Sequence, residues 1–262
     1  MNRHEYTWSP DRWLRWVKEP VPARKFRMVT RQVEIITELA SGIAATRVLD
    51  AGCGYGRFVG LLLDLFPSAE IIGCDISSSM VKACNDSFRS QGRFTAQVAD
   101  ISRLPFDNET FNFVICSGVL MHVTNERASI KELCRVVAPG GSLLLSFNNL
   151  LSPYSIPRII FNRTIEHGIP KKAFRTPFYF RRQLRNSPMK VTRTLADSIL
   201  CIDPSFPCMR RRGLYFIPNW VVSFLGHLDR LLSNSPCKYV GLEMFVLARK
   251  VGHKARNFGL LF

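Results

Sequence analysis

The run VLDAGCGYGRF, from Val48 to Phe58, constrains this chain more than any other stretch. Its apolar opening reads as a buried strand, glycines at 52, 54 and 56 read as a sharp turn, and helical period begins at Phe58. Glycines at such a junction let a ligand approach the strand end and the helix N-terminus, where amide N–H groups lack partners. The theme then repeats. RVLDAG, EIIGCD, FTAQVAD, FNFVICS and GSLLLSF are strand-like runs between Thr46 and Phe147, separated by helical stretches at Phe58 to Phe66, Ser79 to Ser90 and Glu126 to Val137. In the last of these, Ile130, Leu133, Cys134 and Val137 form one apolar stripe. Pro139-Gly140-Gly141 is expected to end that helix and turn the chain into the next strand. Strands alternating with helices predict βαβ units and a parallel sheet with right-handed crossovers.

Apolar residues make up 47% of the 262 and charged residues 21%, which excludes a disordered or collagen-like chain. The 36 basic residues outnumber the 20 acidic ones, and the surplus is uneven. Residues 1–150 hold 17 basic and 15 acidic side chains, whereas 151–262 hold 19 and 5, so the second half is expected to meet something anionic. Eight cysteines show no CxxC pair and no zinc spacing, and most fall in apolar runs. They read as reduced core residues of a cytoplasmic protein, with no metal expected. MNRHEYTWSPDRW lacks the apolar centre of a signal peptide, and no eighteen-residue apolar run suggests a membrane span.

Three features narrow the ligand of the glycine turn. The spacing is GxGxG rather than the dinucleotide GxGxxG; Asp50 precedes the glycines, where a carboxylate repels pyrophosphate and suits an ammonium group; and Asp75 ends the second strand, where an acid can accept both ribose hydroxyls. Together they describe a ribose-bearing ligand with an amine and no phosphates. With these segments the sequence resembles the class I S-adenosylmethionine-dependent methyltransferases, over roughly residues 30–150 and the last strand. The resemblance implies S-adenosyl-L-methionine as cofactor, held by Asp50, Gly52, Gly54, Gly56 and the ribose-binding Asp75. It also implies Ile76 and Met80 sandwiching adenine, Asp100 accepting from the adenine amine with Ile101 beside it, Ser117 at the site, and PGG at 139–141 as the turn before strand five. Asn112 stands where many relatives have Asp, which puts only a structural contact in question. The implied fold is α/β, Rossmann-like and doubly wound: a mostly parallel sheet with N-terminal helices and a C-terminal inserted lobe between strands five and seven.

The chain divides accordingly into an N-terminal helical cap at 1–45, a cofactor-binding core at 46–148, a basic substrate or interface lobe at 149–240 and a final strand at 241–250, all within one methyltransferase domain. His122, beyond the fourth strand, is the candidate general base, with packing or hydrogen bonding beneath the cofactor as its other role. Tyr6, Trp8, Trp13 and Trp16 serve either as a cofactor cap or as core aromatics. Lys171, Lys172, Arg175, Arg181, Arg182, Arg185, Lys190 and Arg193 crowd a 23-residue stretch without an acid, and Arg210, Arg211 and Arg212 follow. Pro218 opens a predicted helix in which Trp220, Phe224, Leu228, Leu231 and Leu232 share a face. A basic lobe beside an apolar helix face suits a small-molecule, glycan or lipid-linked acceptor, with peripheral contact at the inner membrane face. RNA is the alternative acceptor, although no recognised RNA-binding module is visible, and a noncatalytic cofactor-binding partner protein is the alternative from another class.

Overall fold

The alternation in the sequence becomes one eight-stranded sheet. The computed structural model describes residues 23–153, 155, 174–185, 187–197, 199 and 219–252. In chain order the elements are α1 (Ala23–Ala40), β1 (Arg47–Ala51), α2 (Val59–Leu65), β2 (Glu70–Asp75), α3 (Ser78–Ser87), β3 (Phe94–Val98), β4 (Phe111–Cys116), α4 (Glu126–Val136) and β5 (Val137–Asn149). Then come β6 (Phe174–Arg175), α5 (Tyr179–Leu184), β7 (Met189–Asp197), α6 (Asn219–Ser233), a 3₁₀ turn (Pro236–Val240) and β8 (Glu243–Lys250). The strand order is β3-β2-β1-β4-β5-β8-β7, with β6 pairing β5 off that path. β1 to β6 pair in parallel, and β8 runs antiparallel to both β5 and β7. Winding runs outward from β1 to β3 and then back through β4, so a crevice opens between the carboxyl ends of β1 and β4, where such sheets bind ligands.

Each face of the sheet buries its own cluster. Ile35, Leu39, Leu62, Phe66 and Phe113 pack under α1 and α2. On the other face Ile130, Leu133, Leu143, Leu145 and Phe180 pack under α4 and α5. The predicted stripe of α4 lies in that cluster, and burying each such side chain contributes about 1.5–3 kcal/mol. Polar groups finish the helix ends. The Asn125 side chain accepts from Ala128 N–H at the start of α4, while Lys250 Nζ donates to the carbonyls of Cys134 and Val137 at its end. Asn112 Oδ1 accepts from Thr46 N, Thr46 Oγ1 and Arg47 N, so the amide keeps the contact that anchors the start of β1.

Two sequence expectations change in detail. Pro139-Gly140-Gly141 lies inside β5, not between helix and strand; α4 stops at Val136, and the register against β4 shifts between Phe111 and Phe113. A Cβ on Gly141 would stand 2.8 Å from the Asn112 carbonyl oxygen, so only glycine passes there without displacing β4. Residues 189–197, which carry no clean period, form the edge strand β7 of the main sheet, so the lobe expected over 149–240 surrenders this segment to the sheet. Lys190, Thr192, Arg193 and Thr194 break the apolar alternation of that strand, which an edge position tolerates.

Candidate functional site

The glycine loop is tied to its neighbouring strand before any ligand is considered. Gly52 N and Cys53 N both donate to the Cys74 carbonyl, at 2.7 and 2.9 Å, and Gly54 N donates to Asp75 Oδ2 at 3.0 Å. Gly52 has φ +83°, and a Cβ there would fall 2.3 Å from the Val119 side chain, so the turn after β4 can close on the loop only over glycine. Gly54 also has positive φ, and nothing stands within 4 Å of where its Cβ would be.

Asp50 is 3% exposed, and its Oδ2 has no hydrogen-bond partner among the described residues. Burial pushes its pKa up to about 7; the Arg57 guanidinium works against that shift and the Asp75 carboxylate adds to it. Asp75 Oδ1 accepts from Ser77 N at 2.9 Å while Oδ2 holds Gly54. Each of those oxygens keeps a second lone pair for a ligand hydroxyl. Asp100 is exposed beyond β3, with Oδ1 accepting from Ser102 N. The three expected acids therefore stand at the carboxyl ends of three adjacent strands, Asp50 and Asp75 within β1 and β2 and Asp100 just beyond β3.

The apolar residues separate by exposure. Ile76 is 72% exposed directly after Asp75, whereas Met80 and Ile101 are buried. Ser117 is buried and lies at the head of a polar chain the sequence did not reveal. Its Oγ is 3.0 Å from Ser146 Oγ, which also accepts from Gly118 N and reaches Glu243 Oε1 at 2.8 Å; Glu243 Oε2 in turn accepts from Gln32 Nε2 at 2.6 Å. Ser146 spends its single proton on the carboxylate, so Ser117 is the donor between the two serines. No local motif links residues 32, 117, 146 and 243; strand pairing across β5 and β8 brings them together. His122 is exposed just past the 117–119 turn, its backbone N–H held by the Val119 carbonyl. Protein packed around the ring lowers its pKa below the ordinary imidazole value, against the opposing pull of the Asp75 carboxylate. Arg57, the first cation after the glycines, is half-buried and lies outside the glycine motif.

The basic stretch is less naked than its sequence suggests. Arg175 pairs with Glu126, Arg193 with Glu38 at 2.7 Å, and Arg230 of α6 with Glu34. Arg181, Arg182, Arg185 and Lys190 keep no such acid among the described residues. Lys171, Lys172, Arg210, Arg211, Arg212, Tyr6, Trp8, Trp13 and Trp16 lie outside the described residues. The predicted face of α6 divides: Leu232 packs on the core, Leu228 is half-buried, and Phe224 and Leu231 are 58% and 66% exposed. A cleft of about 210 Å³ runs beside β7 between Arg181, Thr192 and Thr194 on one hand and Asn234 and Lys238 on the other. Among the described residues no helix is long and apolar enough to cross a membrane.

A family model described as a methyltransferase domain matches residues 48–141, the stretch from the glycine loop to the bulge in β5. The tRNA (carboxymethyluridine(34)-5-O)-methyltransferase of Arabidopsis thaliana is 40% identical over 102 residues, which are 38% of this chain and 23% of that protein. The malonyl-[acyl-carrier protein] O-methyltransferase of Herminiimonas arsenicoxydans is 34% identical over 111 residues, 42% of this chain and 40% of that one. The chain thus spans less than half the length of either relative. A SAM-dependent methyltransferase from Aquifex aeolicus has the same fold over 93% of this chain and 100% of its own, with a TM-score of 0.58 at 13% identity. Residues 48–141 thus match a methyltransferase domain, and in its glycine loop and strand order the chain is similar to the class I S-adenosylmethionine-dependent methyltransferases.

Proposed function

We propose that the chain catalyses methyl transfer from S-adenosylmethionine to a lipid-linked acceptor that carries negative charge. The observation that carries the catalytic part is the buried Asp50 carboxylate, beside a glycine loop, with one oxygen that has no partner among the described residues. That site fits the cofactor: Asp50 suits its ammonium, Asp75 its ribose hydroxyls, the exposed Ile76 and the open side of Asp100 its adenine, and Ser117 the crevice floor. When bound, the cofactor supplies a methyl group on a sulfonium sulfur for in-line displacement. The chain's own task is to orient the acceptor, exclude water and take a proton from an acceptor hydroxyl. His122 suits that last step, because its lowered pKa favours the neutral, proton-accepting imidazole and the residue is exposed just beyond β4. His122→Ala should lower turnover by about 10²–10⁴ while cofactor affinity barely moves. Near-normal turnover, or lost cofactor binding, would return His122 to a structural role.

The acceptor class rests on the C-terminal part. Matches of 102 and 111 residues link part of this chain to relatives named for a tRNA and for an acyl-carrier protein, which supports assigning acceptor choice to residues outside the methyltransferase domain at 48–141. In this chain those residues, the lobe at 149–240, carry Arg181 and Lys238 at the cleft, neither ion-paired among the described residues, with Phe178 stacked on Tyr239 and 58% exposed at its rim. Phe224 and Leu231 add apolar surface on α6. Cations next to exposed aromatic and aliphatic side chains suit an anionic head group on an apolar tail met at the inner membrane face, each engaged basic residue adding about 1 kcal/mol. Methyl-labelled cofactor incubated with the protein and with separated lipid, RNA and small-molecule fractions tests this. Label in the anionic lipid fraction is expected. Label in RNA would replace the acceptor, and binding of cofactor without label in any fraction would favour a noncatalytic partner protein. Cosedimentation with anionic vesicles should occur at low salt and fade at high salt; its absence at low salt would remove the membrane contact.

A further inference from the structure

Arg57 is placed as though waiting for an anion. It follows the glycine loop, is half-buried, and its Nη2 lies 3.5 Å from where a Cβ on Gly118 would stand, so the guanidinium spans from the loop to the turn after β4. Its carbon lies 4.3 Å from the Phe58 ring centroid, which fixes one face of the group. Among the described residues it forms no hydrogen bond and no ion pair, although Asp50 is close enough to feel its charge. A half-buried guanidinium offers five N–H donors in a planar fork shaped for a carboxylate, and leaving all of them without a protein acceptor is costly.

Gly118 is part of this arrangement. It adopts φ +73°, its amide is held by Ser146 Oγ, and it leaves the fork room against the backbone. The crevice therefore presents one carboxylate with a spare oxygen, Asp50, and one cation with spare donors, Arg57. That is the complement of an α-amino acid, which bears an ammonium and a carboxylate two bonds apart.

We infer that Arg57 is the counter-ion for the α-carboxylate of the cofactor's amino-acid end, opposite Asp50 on its ammonium. The inference rests on the methyltransferase reading above and names a residue that the glycine motif did not include. It makes the amino-acid end of the ligand matter through a charge pair separable from adenine and ribose recognition.

Calorimetry with three ligands tests it: S-adenosylhomocysteine, its decarboxylated analogue that keeps the amine, and 5′-methylthioadenosine, which lacks the amino-acid end. The wild-type protein should bind S-adenosylhomocysteine most tightly. In Arg57→Ala its affinity should fall about ten- to thirtyfold and approach that of the decarboxylated analogue, while 5′-methylthioadenosine changes less than about twofold. Arg57→Gln, which keeps much of the side-chain volume without the charge, should behave alike, and Arg57→Lys should recover part of the loss. Equal losses for all three ligands, or unchanged S-adenosylhomocysteine affinity, would overturn the role of Arg57 alone. A wild-type protein that binds none of the three would overturn the methyltransferase reading itself.

Discussion

Residues 47–149 and residues 174–250 handle charge in opposite ways. In the first region the acids are local instruments: Asp75 orders Gly54 and Ser77, Asp100 orders Ser102, and Asp50 is buried with an oxygen to spare. In the second, cations dominate and find their acids far away in sequence, with Arg175 on Glu126, Arg193 on Glu38 and Arg230 on Glu34. The cofactor crevice is thus assembled by its own strand ends, whereas the C-terminal part is docked by partners borrowed from α1 and α4. The surplus counted over residues 171–193 shrinks once Arg175 and Arg193 are paired, leaving Arg181, Arg182, Arg185 and Lys190 without an acid among the described residues.

The comparison can be broken most strongly at Gly52. A methyl group 2.3 Å from Val119 at positive φ must displace either the loop or the turn, so Gly52→Ala should weaken S-adenosylhomocysteine binding by more than about 100-fold. Near-normal affinity in calorimetry would show that the two segments are not interlocked. Next, Asp75→Ala removes a charged acceptor and frees Gly54, costing about 1.5–3 kcal/mol or roughly ten- to a hundredfold in affinity. An unchanged affinity in the folded variant would unseat Asp75.

A third experiment uses pH. Asp50 has a folded pKa raised to about 7, so between its unfolded value and 7 the native protein holds a proton that the unfolded chain has lost. For this group stability therefore declines as pH rises from about 4 to 7 and levels off above. A cationic ligand favours the ionised form, so its affinity should rise up to about tenfold from pH 6 to 7 and flatten beyond. Asp50→Asn should flatten that profile, and the same slope in the variant would assign the proton elsewhere. The smallest effects belong to the C-terminal part. Glu126→Gln should cost about 1 kcal/mol and increase hydrogen exchange at 174–184, with S-adenosylhomocysteine affinity moving less than about twofold. Coupled loss of cofactor affinity would mean that the two regions are energetically one.

The chemistry of the crevice was legible because it is written in consecutive residues. Asp50 and the three glycines lie within seven positions, Asp75 ends EIIGCD, and Asp100 follows the next strand. β7 was not legible, since five of its nine residues are polar or charged and its pairing partners lie 46 to 61 positions ahead. Arg57 lay in plain view beside the glycines, but nothing in a linear spacing says that its guanidinium reaches Gly118, sixty-one residues on.

Sequence alone determined the alternating strands, the positive-φ turn and the acids at the strand ends, because period, glycine and the i to i+2 hydrogen bonds of Asp75 and Asp100 act over a few residues. Tertiary structure alone decided which cations keep a partner, which side of α6 stays in water, and that Gln32, Ser117, Ser146 and Glu243 form one chain of hydrogen bonds. Those outcomes depend on distances between segments from 29 to 211 residues apart. Burial and ion pairing take their strength from such distances, and a linear sequence does not contain them until the sheet has closed.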